Sequence, residues 1–499
     1  MRVNRRTMRS GWMLAGAVLA AAPFVSAASA KDSVTLGMAL EPPMLDPTAG
    51  AAAAIREVTY ANLFEGLTRV DARGEAQPAL ARSWRISDDI KTYTFKLAEG
   101  VKFHDGEPFD CSVVKFSFER AVAPDSTNAQ KAIFAPIESI ACKDAATAVV
   151  TLKAPSSNFL FNMGWGDAVM VSPKSAATNK TNPVGTGPFK FKSWAKGDRV
   201  TLERFDGYWG EKPKLAAVTF RFISDPAAAA AAVLAGDVDG FSNLPAVETV
   251  PQFKADPRFS VVVGMTQGKT VFALNNAKKP FDDVRVRRAL THAIDRKALI
   301  DAVSSGYGKP LGSHWSPNDP GFIDLSGEYP FDPAKAKALL AEAGVKQGFE
   351  MTIMLPPPAY ARRGGEVIAA YLAQVGVTAK LVPVEFAQWL DQVFKRSDFD
   401  GTIISHVEPR DIEIYARDKY YFNYANAEFK PLYQAYLAAP DDAARNAAAQ
   451  AMQKKLSADA PNVFLYLLPK VGVWNAKLKG MWENSPIPAN DMTGVSWAE

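Results

Sequence analysis

Cysteine and histidine are scarce in this sequence of 499 residues: there are two of the first and four of the second. His104, His292, His314 and His406 are scattered, and no two share helical ligand spacing, so a dedicated protein metal site is not expected. GxSxG, HExxH and CxxC motifs, a Walker loop and a GxGxxG turn after a strand are all missing. The chain is therefore not expected to be an enzyme or to carry a cofactor. Surplus charge is missing too. The 57 Lys and Arg exceed the 53 Asp and Glu only through Arg2, Arg5, Arg6 and Arg9, so residues 31–499 are neutral overall. A neutral chain with 48% apolar and 22% charged residues is an ordinary globular composition, which argues against disorder, a nucleic-acid-binding stripe or a cationic membrane-surface protein.

Long apolar runs are confined to Trp12–Val25, which falls short of the roughly 20 residues that span a bilayer. Preceded by the four arginines and followed by Ala28-Ser29-Ala30, it reads as an export signal over residues 1–30, with cleavage after Ala30 or, alternatively, Ala27. Asn4-Arg5-Arg6-Thr7 only hints at a twin-arginine signal, so the export route stays open. No cysteine stands at the cleavage site to carry a lipid, which leaves a soluble periplasmic protein as the expectation. In that oxidising compartment Cys111 and Cys142 either pair with each other or remain two buried thiols, and neither reading is catalytic.

At this length at least two lobes are expected, because a single hydrophobic core stops growing. Strand patterns cover Val34–Leu40, Thr92–Ala98 and Ala148–Lys153, and Asp110 opens a helix over Cys111–Ala121. Asp225-Pro226 starts an alanine-rich helix that stops at Gly236. One helical pattern runs from Val286 through Leu299 to Gly306, and another opens at Asp332-Pro333. From Met351 to Ile404 strands alternate with helices, which predicts an α/β lobe with a largely parallel sheet. A long helix from Asp441 to about Ala460 and a strand from Val463 to Leu468 follow.

The stretch ALARSWRISDDIKTYTFKLAEGVKFHDGEPFDCSVVKFSFER, Ala79 to Arg120, resembles the signature region of the extracellular solute-binding proteins of the peptide, opine and nickel class (family 5), which serve ABC importers. NPVGTGPFKFKSW (Asn182–Trp194), AGDVDG (Ala235–Gly240) and NNAKKPFDDVRVRRALTHAIDRKALI (Asn275–Ile300) continue the resemblance in the family's order. Physically these blocks read as scaffold: Asp105-Gly106 as a turn, the glycines of Asn182–Phe189 as backbone turns, and the arginines of Val284–Arg296 as a solvated helix face. The resemblance implies an α/β, two-lobed periplasmic binding protein fold with an additional inserted domain. The implied division is a first-lobe core of residues 31–66, 180–266 and 470–499, an inserted domain of 67–179 and a second lobe of 267–469, with crossings near Gly264–Gly268 and Leu468–Gly472. It also implies a monomer that encloses a ligand by hinge closure, with pocket residues from both sides, and hands it to an inner-membrane ABC permease.

In the family's peptide binders a carboxylate in the loop after a second-lobe strand grips the ligand's ammonium. The matching loop here is Ser405-His406-Val407-Glu408-Pro409-Arg410-Asp411, where Glu408 stands in place of the usual Asp and Asp411 is the other candidate. His406 and Arg410 could hold a carboxylate. Trp165, Trp315 and Trp389 could stack on a side chain or a sugar face, and Asn243 is a further cleft candidate. A short peptide or peptide-like zwitterion is thus the expected ligand; an opine, an oligosaccharide or a nickel chelate with His406 as a ligand are the rivals.

Overall fold

A computed structural model describes Met1 and residues 31–498; apart from Met1, the expected export signal lies outside the described residues. Two long strands, Phe259–Leu274 and Asn462–Asn475, run antiparallel through the middle of the molecule and belong to both lobes. At one end Gly240–Phe241 pairs with Val473 and Trp474. At the other, Gly401–His406 pairs with Lys269–Leu274. Their mutual register slips between Met265 and Lys269, close to where the chain is expected to cross between lobes. In the first lobe Ser33–Met38 lies parallel to both Gly240–Phe241 and Ala217–Phe222, and the hairpin strands Arg199–Arg204 and Phe189–Ala195 complete the edge. Among the described residues, eleven strands form this one continuous sheet.

The second lobe departs from the expected largely parallel sheet. Phe349–Leu355 is parallel to Val377–Pro383 and to Gly401–His406, but the two long strands enter antiparallel, so the sheet is mixed. Apolar residues coat both of its faces. Phe272, Leu290, Ile353, Ile368 and Val463 pack on one side, and Val271, Trp315, Trp389, Tyr415 and Phe464 on the other.

A separate four-stranded antiparallel sheet, Ala81–Ile86, Thr92–Leu97, Thr147–Leu152 and Ile137–Asp144, has its own core from Leu67 to Met170. The helix Cys111–Val122, capped by Asp110, packs into that core, and a disulfide joins Cys111 to Cys142 on the edge strand. With a sequence separation of 31 between the two cysteines, the chain-entropy model assigns this link about 3 to 4 kcal/mol.

Aspartates cap the helices as their positions predict: Asp225 accepts from the Ala228 amide and Asp332 from that of Lys335. The expected single helix after Asp283 is two, Val284–Ala293 and Arg296–Ser304. Ile294 is extended, and Asp295 starts the second helix by accepting from the Ala298 amide. Arg287 also departs from the expected solvated face. It is buried and donates to the carbonyls of Asp459 and Ala460, at the C-terminus of the helix Asp442–Asp459, where a cation offsets the helix dipole. The glycines of Asn182–Phe189 serve close approach rather than turns. A Cβ on Gly185 would lie 1.9 Å from the Leu63 carbonyl oxygen and one on Gly187 2.5 Å from that of Asn62. His104 pins the same loop through the Gly185 amide and the Gly187 carbonyl, which is a structural role. Among the described residues no helix is long and apolar enough to cross a membrane.

Candidate functional site

A cavity of about 190 Å³ lies where the lobes and the inserted region meet. Ala51, Ala53 and Arg56 line it from the start of the helix Ala53–Thr59, and Ile487 and Pro488 from the C-terminal tail. Gln130, Trp165, Gly166 and Asp167 come from the inserted region, and Val407, Glu408 and Pro409 from the loop after strand Gly401–His406. Its walls therefore come from both sides of the expected lobe division, which is the arrangement closure around a ligand needs.

Three charged groups line the cavity, and two of them cancel. Arg56 Nε donates to Asp167 at 2.6 Å, and a second bond joins its Nη2 to the other carboxylate oxygen. The remaining guanidinium donors of Arg56 meet the carbonyls of Gly50, Ala51 and Ala52. Gly166 packs against the stem of Arg56, where a Cβ would come within 2.9 Å of Cγ. The third charge, Glu408, has no hydrogen-bond or ion-pair partner on another residue among the described residues. Burial raises its carboxyl pKa, and the neighbouring Asp411 raises it further.

The Glu408 loop is held from behind. Lys269, just past the register slip within its strand, donates to the Glu408 carbonyl at 2.8 Å and to that of Gln267 at 2.9 Å, and lies 3.0 Å from the Asp411 carboxylate. His314 Nε2 lies 3.0 Å from the same Asp411 oxygen. Asn462 donates to the Tyr415 hydroxyl, which leaves that proton for His314 Nδ1, so Nε2 carries the hydrogen that faces Asp411. This neutral tautomer satisfies both ring nitrogens and agrees with burial lowering the His314 pKa. His406 is buried beside Tyr421 and His314, and burial pushes its pKa down to about 3.

The expected site residues fall into three groups. Glu408 and Trp165 line the cavity. His406 and Asp411 lie in the buried network behind it, so neither is presented to a ligand. Arg410 is turned across the cleft, donating to the Gly74 carbonyl at 3.0 Å, stacking over Phe161 at 3.8 Å and pairing with Asp319 at 3.5 Å. Trp315, Trp389 and Asn243 are corrected to structural positions. Trp315 is 1% exposed with its indole on the Pro320 carbonyl, and Trp389 is 4% exposed with its indole on Thr402. Asn243 accepts from the Val471 amide of the long strand. Trp165 is 8% exposed and packed against Phe161 and Ile487, and its indole N–H has no partner among the described residues.

Arg56, Asp167 and Gln130 are wall residues the sequence did not point to, since no periodicity links positions 111 residues apart. His314 was missed for the same reason. With His406 and Asp411 it forms a set whose ligand atoms lie within 4.8 Å of one another, which the spacing of histidines could not reveal. The ammonium of Lys269, 3.0 Å from the Asp411 oxygen, stands where a metal cation would have to compete with it.

The family model for bacterial extracellular solute-binding proteins, family 5, middle region, matches residues 75–409. The glutathione-binding protein GsiB of Pectobacterium atrosepticum is 33% identical over 391 residues, which cover 77% of this chain and 75% of that protein. Among solved structures, the periplasmic binding protein DppA of Helicobacter pylori in complex with the peptide STSA superposes with a TM-score of 0.82 at 25% identity, over 94% of this chain and 99% of that one. AgaA of A. tumefaciens R10 in complex with agropinic acid gives a TM-score of 0.80 at 25% identity, over 94% and 99%.

Proposed function

The chain belongs to the bacterial extracellular solute-binding proteins of family 5, and from that membership we propose that it is the periplasmic receptor of an ABC importer for a short peptide or peptide-like amine. Members of this family bind and deliver solutes rather than transform them, so the site is read as a binding site and not a catalytic one. On this reading residues 1–30 direct export and are removed. The lobes, divided at 267 and 469 with 67–179 inserted, close as a monomer over the ligand and then engage the permease.

The observation that carries the ligand class is Glu408: a carboxylate without a partner, in a cavity walled from both lobes. An enclosed carboxylate left alone costs several kcal/mol, and a ligand ammonium offsets that cost only when the lobes close around it. Closure and recognition are then one event. GsiB, named for glutathione, and DppA, solved with a peptide, are relatives whose ligands carry such an ammonium. A saccharide reading finds less support, because Trp315 and Trp389 have no free ring face to offer.

The test is extraction of the ligand retained by the purified protein, followed by mass spectrometry. A peptide or amino-acid conjugate is the expected result. A free sugar or a metal chelate overturns the ligand class, and turnover of any bound compound overturns the receptor reading.

A further inference from the structure

Around the cavity the charges of Arg56, Arg410 and Lys269 are each already paired with a carboxylate. Arg56 spends its guanidinium on Asp167 and three backbone carbonyls. Arg410 donates to the Gly74 carbonyl, has its charge paired with Asp319 and stacks on Phe161, while its buried Nε makes no hydrogen bond. Lys269 is bound to Asp411 and two carbonyls. His406 is neutral and faces Tyr421. The other polar side chains in the wall, Gln130 and Trp165, are uncharged. With Arg56 and Asp167 cancelling, the lining carries one net negative charge, that of Glu408.

A zwitterion enclosed here would bring a cation for Glu408 and an anion with no counter-charge. Its carboxylate would then be desolvated in the same small space as Glu408, a like-charge contact that costs far more in a closed cavity than in water. A neutral amide or ester in that place meets only neutral donors, which suit it.

We propose that the cavity selects ligands with a cationic amine head on an otherwise uncharged body. Among peptides these are forms whose carboxylate is masked as an amide or ester, or lies beyond the cavity. The selectivity is written in the pairing of Arg56 with Asp167: the one guanidinium in the wall is neutralised by the chain itself, so a carboxylate finds no partner. This deepens the receptor reading given above and rests on it. It narrows the ligand from zwitterion to monocation.

Native mass spectrometry on the purified, ligand-free protein tests it with three equimolar pools of dipeptides: free, carboxyl-amidated, and both N-acetylated and amidated. The amidated pool is expected to be retained at least fivefold more than the free pool, and the doubly blocked pool not at all. Equal or greater retention of free dipeptides overturns the monocation proposal while leaving the peptide receptor intact. Retention of the doubly blocked pool overturns the role of Glu408. Silence from all three pools overturns the peptide reading itself and this proposal with it. A second measurement separates charge from shape: Asp167→Asn frees the charge of Arg56 with little change in volume, and it is expected to raise retention of the free pool relative to the amidated pool at least threefold. An unchanged ratio overturns the part assigned to the Arg56 and Asp167 pair.

Discussion

The ammonium of Lys269 lies 3.0 Å from the carboxylate of Asp411, and both side chains are almost entirely buried. The same ammonium holds the carbonyl of Glu408, so one buried ion pair ties the cavity loop to the strand that crosses between lobes. Burial would push the Asp411 carboxyl up; Lys269, helped by His314, overcomes it and holds the group well below the usual carboxylate range. Removing either partner alone leaves a buried charge uncompensated. Lys269→Met and Asp411→Asn are each expected to lower unfolding stability by about 3 to 5 kcal/mol. The double variant should recover much of that loss. Urea unfolding of the three proteins checks it, and single variants within about 1 kcal/mol of the parent would show that the pair holds nothing.

Glu408→Gln separates binding from stability. Loss of the carboxylate is expected to weaken binding of an amine ligand by roughly 2 to 4 kcal/mol. The unliganded protein should melt no lower, because the half-buried carboxylate it loses has no partner on another residue. The pH dependence has a definite sign. The carboxyl is raised, so acid protonates Glu408 before an ordinary glutamate, and affinity for a permanently cationic ligand falls as pH drops through that raised value. Calorimetric titrations at several pH values should show this slope in the parent and none in the variant. Undiminished affinity of Glu408→Gln would show that the ligand's cation is held elsewhere.

The loop that carries this chemistry could be located from sequence because it follows a recognisable strand, yet the roles inside it could not be sorted. Glu408, Arg410 and Asp411 are neighbours in the chain, but one faces the cavity, one crosses to Gly74 and one turns inward to Lys269. What sorts them is the left-handed backbone of Arg410, with φ of 52°, and partners 91 to 336 positions away. Local signals were read more safely: Asp110, Asp225 and Asp332 each cap a helix through an amide two or three residues on. Arg287 marks the limit of helix-face reasoning, since it has the pattern of a surface arginine until the helix ending at Asp459 is brought against it.

Arg410 also bears on closure. Its bond to the Gly74 carbonyl and its stacking on Phe161 join the second lobe to the inserted region. A second clasp lies nearby: Ser157 meets the carbonyls of Tyr436 and Leu437, and the Tyr436 hydroxyl donates to Asn158 at 2.8 Å. None of these bonds involves a ligand, so they are expected to favour closure in the free protein as well. Arg410→Ala made together with Asp319→Asn, which avoids stranding a buried acid, should remove about 1 to 2 kcal/mol from the closed state. That is a shift of roughly 5- to 30-fold in the closed-to-open ratio. Solution X-ray scattering of the unliganded proteins is expected to give a larger radius of gyration for the variant. Superimposable curves with unchanged ligand affinity would remove the clasp from the closing mechanism.

Lys470 offers a test that leaves the ligand aside. It sits on the other crossing strand, 3% exposed, with the Trp482 carbonyl as its hydrogen-bond partner, and burial pushes its pKa down to about 8. In the unfolded chain a lysine titrates near 10.4, so between about pH 8 and 10.4 the unfolded state binds more protons than the folded one. Stability must therefore rise with pH across that window, by up to about 3 kcal/mol in all, at the expense of stability near neutrality. Lys470→Met removes the buried ammonium and strands only a carbonyl. It is expected to unfold about 1 to 2 kcal/mol less readily than the parent at pH 7, and to lose the rise between pH 8 and 10. Denaturant midpoints of the two proteins at pH 7, 8, 9 and 10 decide the matter. Parallel pH profiles would mean that Lys470 keeps an ordinary proton affinity in the fold.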